Sequence, residues 1–159
     1  IALEGKCGAG KTTISKLLSD ALELTVINID DFFLPPQRKT KKRIKEIGGN
    51  IDYEAIRSLL LKIKKEGKIS YQKYDCSSNE YKYEEKRSSK LILLEGVYSY
   101  HQAFNHLIDK LIYYDIEESL QDLRLQKRDN YRSFKDLWIP LENKYFESLN
   151  IKYKADIII

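Results

Sequence analysis

The sequence predicts an α/β fold three layers deep, with helices on both faces of a parallel five-stranded sheet. Two observations carry the prediction. Short, nearly continuous apolar runs alternate with helical patterns along the 159 residues, the pattern left by buried parallel strands and their crossover helices. The first apolar run, Ile1-Ala2-Leu3, also leads straight into a glycine-rich loop and then an amphipathic segment, so strand, loop and helix follow one another without a break.

The elements follow in order. Apolar stretches place strands near residues 1–4, 24–29, 90–95, 110–115 and 156–159. A helix over 11–22 carries Ile14, Leu17, Leu18, Ala21 and Leu22 on one side. In a second, over 53–65, Ile56, Leu59, Leu60 and Ile63 recur at helical spacing and Gly67 ends the run. Further helices are expected over 118–130 and 134–148, with a shorter one after Tyr100. Trp138-Ile139-Pro140-Leu141 reads as packing, with the proline near a helix start. Residues 30–50 form one long irregular stretch with Pro35-Pro36, six basic residues between 38 and 45, and Gly48-Gly49; a loop of that length is more often functional than idle. Residues 69–90 read as a small, polar, Tyr-rich hairpin inserted outside the main sheet.

Composition bounds the function classes. Hydrophobic residues make up 42% and charged residues 33% of the chain, which describes one ordinary globular domain over 1–159. No apolar run approaches the roughly 20 residues of a membrane span and no secretory signal leads the chain, so no membrane partner is expected. The chain reads as trimmed at both ends, beginning without Met inside a strand and stopping as another begins. Two cysteines, Cys7 and Cys76, are too few for a disulfide framework, which suits a reducing cytoplasm. Net charge is a mild +4. The basic run Arg38–Arg43 reads as a solvated loop near a polyphosphate site, with no nucleic-acid polymer as partner. His101 and His106 lack cysteine partners at metal spacing.

The glycine-rich loop is Gly5-Lys6-Cys7-Gly8-Ala9-Gly10-Lys11-Thr12, a complete G-x-x-x-x-G-K-T phosphate-binding loop in the strand–loop–helix setting that gives the pattern its mechanism. This makes the expected architecture a P-loop NTPase fold. Gly5, Gly8, Ala9, Gly10, Lys11, Thr12 and Thr13 are the residues expected to hold ATP. Backbone N–H groups curl around phosphate oxygens at a helix N-terminus, Lys11 reaches the β- and γ-phosphates, and the Thr12 hydroxyl completes the shell of Mg²⁺.

The second strand ends in Ile29-Asp30-Asp31-Phe32-Phe33. In a doubly wound sheet its carboxyl end lies beside the phosphate loop, so Asp30 and Asp31 are expected to face the ligand crevice, where a carboxylate can take a proton from an acceptor hydroxyl or help hold Mg²⁺; capping or loop solvation is the plainer alternative. There is no Asn-Lys-x-Asp element for reading guanine, which argues against a GTPase. The stretch Leu91-Ile92-Leu93-Leu94-Glu95-Gly96 offers one acid followed by glycine, which suits a small-molecule kinase better than a motor ATPase.

Taken together, these motifs resemble the uridine kinase and phosphoribulokinase group of P-loop kinases, which includes pantothenate kinase. Asp30-Asp31-Phe32-Phe33 matches the strand end of that group, and Asn50-Ile51-Asp52-Tyr53-Glu54 partly matches its Asn-x-Asp-x-Pro segment. Tyr74-Asp75 after Gly67 matches a Tyr-Asp motif, Glu95-Gly96 a strand end, and Arg124-Leu125-Gln126-Lys127-Arg128-Asp129 an arginine-rich helical lid. The resemblance implies that Asp30 is the general base, that Asp52 binds acceptor hydroxyls, and that Tyr74 lines the acceptor pocket. It implies that Glu95 stands near the metal or acceptor, and that Arg124 and Arg128, four apart on one helix face, close over the transferring phosphate together with Lys11. For Asp52 a helix N-cap, for Tyr74 plain packing, and for the arginines a solvated face remain alternatives.

The resemblance breaks on the acceptor side. No His or Arg follows Tyr74-Asp75, the proline after Asp52 is missing, and the lid is short. The expectation is an ATP- and Mg²⁺-dependent kinase acting on a hydroxyl of a small molecule, a nucleoside such as uridine or cytidine first. The alternatives are another small acceptor (pantothenate, a sugar phosphate or glycerate) or a nucleotide-binding regulator without catalysis.

Overall fold

A computed structural model describes residues 1–159. Five parallel strands form one sheet in the order β2-β5-β1-β6-β7: β1 (Ala2–Glu4), β2 (Thr25–Asn28), β5 (Ile92–Glu95), β6 (Leu111–Tyr113) and β7 (Ile157–Ile158). β1 lies at the centre with all three residues buried, Ala2 opposite Leu94 on one side and Leu111 on the other. The sheet is apolar on both faces because alternate residues point opposite ways. Leu3 and Leu93 join Leu24 beneath Ile14 and Leu18 of the first helix. Ala2, Ile27 and Leu94 belong to the larger core with Ile56, Phe104, Tyr145 and Phe146. The expected three-layer architecture is the one observed.

Helix α1 (Lys11–Leu22) starts at Gly10, whose φ is 104°. Its sheet-facing side matches the expected one only in part, with Ile14 and Leu18 packed on the sheet. Lys11 and Ser15 are the buried positions, while Leu17 and Leu22 stand out into solvent; a small Ser15 lets the helix lie close to the sheet. Residues 30–50 are irregular apart from short turns and the single turn of α2 (Lys41–Lys45), capped by the Thr40 hydroxyl. α3 (Tyr53–Glu66) opens at Asp52, which accepts from the Ala55 N–H at 3.0 Å, and closes at Gly67 in a left-handed conformation. Its apolar face, Ile56, Leu59 and Leu60, is buried as the spacing predicts.

The hairpin expected within 69–90 is present as β3 (Ile69–Asp75) paired antiparallel with β4 (Glu80–Lys86), a two-stranded sheet separate from the main one. It docks through Tyr71, whose ring stacks on Phe32 at 4.9 Å.

The C-terminal helices differ from the two expected. α4 (Glu118–Leu125) stops five residues early, and a turn carries the chain to α5 (Tyr131–Ser133). A π-helical turn, Phe134–Trp138, then runs into α6 (Ile139–Leu149) and the short α7 (Ile151–Lys154). The break falls in Gln126–Asn130, where every side chain is exposed and no apolar contact sustains the helix. After Tyr100 there is one 3₁₀ turn, Asn105–Leu107, where a short helix is expected. No helix is long and apolar enough to cross a membrane.

Candidate active site

The carboxyl ends of β1, β2 and β5 open onto one cleft of about 340 Å³, at the crevice where parallel α/β sheets bind ligands. One wall is the phosphate loop. Gly5 needs its lack of a side chain, since a Cβ there would lie 2.3 Å from the Tyr114 carbonyl oxygen. Lys11 is buried and folds over the loop, its ammonium donating to the carbonyls of Gly5 at 2.7 Å and Lys6 at 3.0 Å. Gly8, Gly10, Lys11, Thr12 and Thr13 line the cleft; buried Ala9 stays behind it.

Cys7, at the third position of the loop, is held from two helices. Its N–H donates to Glu142 Oε2 of α6 at 2.9 Å, and its carbonyl accepts from Gln121 Nε2 of α4 at 2.9 Å. Burial and the neighbouring Glu142 carboxylate push the Cys7 thiol up to about 12, so it stays protonated and unreactive at neutral pH.

Opposite the loop stand Asp30 and Glu95. Glu95, at the end of β5, is buried and lies 3.5 Å from the Thr12 hydroxyl. Asp30 opens into the cleft from the turn after β2. Loss of water around both carboxyls pushes their pKa values up and the Lys11 ammonium draws them back, while the Asp31 carboxylate adds to the rise at Asp30 and the Asp30 carboxylate to that at Glu95. Glu142 follows the same logic: burial raises its pKa first, and Lys11 opposes. Thus one lysine faces three carboxyls, each a better proton acceptor than in water.

No three His, Cys, Asp or Glu side chains are arranged to hold a metal alone. Hard oxygen donors from Thr12 and Glu95 do fit Mg²⁺, which binds one or two protein oxygens together with phosphate.

The other expected site residues fall elsewhere. Asp31 points away from the cleft: its carboxylate is buried, accepting from the Tyr71 hydroxyl at 2.8 Å and pairing with Lys73 at 2.7 Å. The hairpin captures it because a buried charge needs a partner. Asp52 caps α3 and pairs with Arg38, beside a separate cavity of about 340 Å³ under the hairpin. Tyr74 bonds Asn79 across the hairpin turn and packs on Tyr81 at 5.3 Å. Arg124 donates to the carbonyls of Gly8 at 3.1 Å and Ala9 at 2.7 Å, on the outer side of the loop. Arg128 borders both the main cleft and the outer cavity beside Arg124 and Tyr114.

Several cleft residues escape the sequence reading. Trp138 lines the cleft against Phe33, with ring centroids 5.6 Å apart. Asn50 is buried on the wall beside the Tyr98 phenol, and its Nδ2 has no hydrogen-bond partner. Glu4, the last residue of β1, is fully buried; its Oε1 accepts from the Tyr145 hydroxyl at 2.5 Å and the Tyr100 N–H at 2.8 Å, while Oε2 has no partner. Desolvation raises the Glu4 carboxyl to about 7. One signal was available for Glu142: it lies on the buried stripe of α6 with Tyr145 and Phe146, a place where a carboxylate calls for a reason.

Comparisons with known proteins agree with this fold. Residues 7–66 match the shikimate kinase family. Uridine-cytidine kinase C of Dictyostelium discoideum is 24% identical over 112 residues, covering 69% of this chain; the chain spans about a quarter of that relative, 25%. In structure, the chain is similar to a possible uridine kinase from Bacillus stearothermophilus, with a TM-score of 0.79, 18% identity, and coverage of 99% of this chain and 86% of the other. It is also similar to a Silicibacter sp. kinase named for a fructose transport system, with a TM-score of 0.72, 18% identity, and coverage of 99% and 87%. The likeness to these two solved structures shows that the chain shares their fold.

Proposed function

We propose that the protein is a P-loop kinase that transfers the γ-phosphate of ATP to a hydroxyl of a small acceptor, with a nucleoside such as uridine or cytidine as the leading candidate. The single observation that supports it is the meeting of Asp30 and Glu95 with Lys11 and Thr12 across one cleft. The loop amides and α1 cradle the triphosphate, and the outer cavity by Tyr114 and Arg124 has room for a planar base. Mg²⁺, held by Thr12 and Glu95, would neutralise charge on the phosphates.

Asp30 takes the proton of the acceptor hydroxyl as its oxygen bonds to the γ-phosphorus. The bond from that phosphorus to the β-phosphate oxygen breaks, and ADP leaves with the electron pair. Lys11 stabilises the charge spreading over the transferred group, and Arg128 reaches the same space from the lid. Arg124 acts through the loop, fixing the carbonyls of Gly8 and Ala9 so that the amides keep their aim. Closure of α4 to α6 over the cleft keeps water from competing as acceptor.

The test is ADP release with Mg-ATP against uridine, cytidine, free sugars, pantothenate, ribulose 5-phosphate and glycerate. Acceptor-dependent ADP release supports the kinase reading. Tight ATP binding with no turnover on any acceptor would favour a nucleotide-binding regulator.

A further inference from the structure

We propose that the acceptor is an uncharged sugar, free or as the ring of a nucleoside, packed on Trp138 and read through its hydroxyls by Glu142. The proposal rests on the kinase reading and specifies the molecule on the second side of the cleft.

Trp138 and Glu142 are four residues apart, so they share a face of the C-terminal helix, and both line the cleft. A π-helical turn ends at Trp138, a distortion that recurs where side chains are re-aimed for function. Phe33, three residues from Asp30, fixes the indole from the other side. Glu142 Oε2 accepts from the Cys7 N–H, and the side chain lines the cleft, so its carboxylate has further lone pairs to offer there. A sugar ring has an apolar C–H face and outward hydroxyl donors. An aromatic wall takes the first, and a carboxylate that can only accept takes the second.

Charge then narrows the class. The cations of the cleft, Lys11 and Arg128, stand at its phosphate end, while Asp30, Glu95 and Glu142 supply its carboxylates. A sugar phosphate, glycerate or pantothenate would set a further negative charge among three carboxylates, with Lys11 and Arg128 already engaged by the triphosphate. Asp52 and Tyr74 do not line this cleft, and Arg38, the nearest basic side chain to Asp52, is already paired with it.

Trp138 is the sole tryptophan, so its fluorescence reports the acceptor directly, independent of turnover. In the presence of Mg-ADP, ribose, fructose, uridine and cytidine are titrated beside ribulose 5-phosphate, glycerate and pantothenate, with ADP release from Mg-ATP measured in parallel. At least one neutral acceptor quenches Trp138, and the anions do not. Glu142→Gln raises the acceptor KM or Kd about tenfold while the ATP KM stays within about twofold. Because Glu142 also holds the loop, a second pair guards against misfolding: Trp138→Ala weakens the acceptor about tenfold and Trp138→Phe restores most of it, both read by acceptor KM.

Preference for an anionic acceptor overturns the proposal and leaves the kinase reading intact. So does an acceptor KM unmoved in both Glu142→Gln and Trp138→Ala, or one raised more by Asp52→Asn than by Glu142→Gln. Glu142-dependent quenching by a neutral sugar with no ADP release supports the pocket and overturns the kinase reading. No quenching and no turnover with any acceptor overturns both.

Discussion

The two sides of the cleft are built by opposite strategies. The phosphate side is nine consecutive residues, Gly5 to Thr13, whose backbone does most of the work. The side proposed to hold the acceptor is collected from Asp30, Asn50, Glu95, Tyr98, Trp138 and Glu142, residues spread over more than a hundred positions and joined only by packing. A contiguous loop presents the same amides wherever its strand and helix are placed. A gathered wall changes whenever one contributing element shifts, so related kinases can keep their donor and exchange their acceptor.

Mutations should separate the two sides. Asp30→Asn, on the gathered wall, should lower kcat by about 10²–10⁴-fold with ATP affinity nearly unchanged; steady-state kinetics with the acceptor in use checks it, and unchanged turnover would remove Asp30 from the base role. Lys11→Ala, on the contiguous loop, should lower kcat by about 10²–10³-fold and raise the ATP KM as well. A loss confined to kcat would mean that Lys11 contributes little to holding the ground-state triphosphate.

Glu4 tests the seam between the sides through pH. Its carboxyl is raised from about 4.5 to about 7 in the folded protein, so between those values the folded state binds more protons than the unfolded. Stability is therefore lost as pH rises through that window, each unit of displacement corresponding to about 1.4 kcal/mol. Glu4→Gln should remove this slope. The melting temperature of the native protein should gain on that of the variant as pH falls from about 8 to about 5; parallel curves would show that Glu4 does not titrate there.

Smallest in effect, Asp52→Ala removes the cap of α3 and should cost about 1 kcal/mol by denaturant unfolding. The pair with the half-exposed Arg38 adds little to that figure. ATP affinity should not move, and a large change in it would tie the α3 end to the donor side.

The contrast between contiguous and gathered also marks what could be read from sequence. The phosphate loop, the parallel strands, the cap and stop of α3 and the Tyr-rich hairpin depend on local spacing, and they were legible. Leu17 and Leu22 fall outside the buried face because helical spacing cannot say that Lys11 and Ser15, beside Ile14 and Leu18, are the positions turned to the sheet. Asp31 was expected in the cleft because nothing near it in sequence shows that Tyr71 and Lys73, some forty residues on, will take its charge. The lid breaks at Gln126 because its exposed residues lack tertiary support, a property of the surroundings and not of the segment. Trp138 reads as a packing residue, and Glu142 carries no motif, until α6 is seen to begin over the crevice.

The double hold on the Cys7 backbone has a mechanical corollary. α4 grips its carbonyl oxygen and α6 its N–H, so the two helices cannot spread apart without lengthening one of those bonds or turning the two peptide groups that meet at the Cys7 Cα. The loop thereby becomes a strain gauge for the roof above it. A ¹³C label in the Cys7 carbonyl would turn that gauge into an infrared signal, with an amide band that shifts as the roof rises and settles.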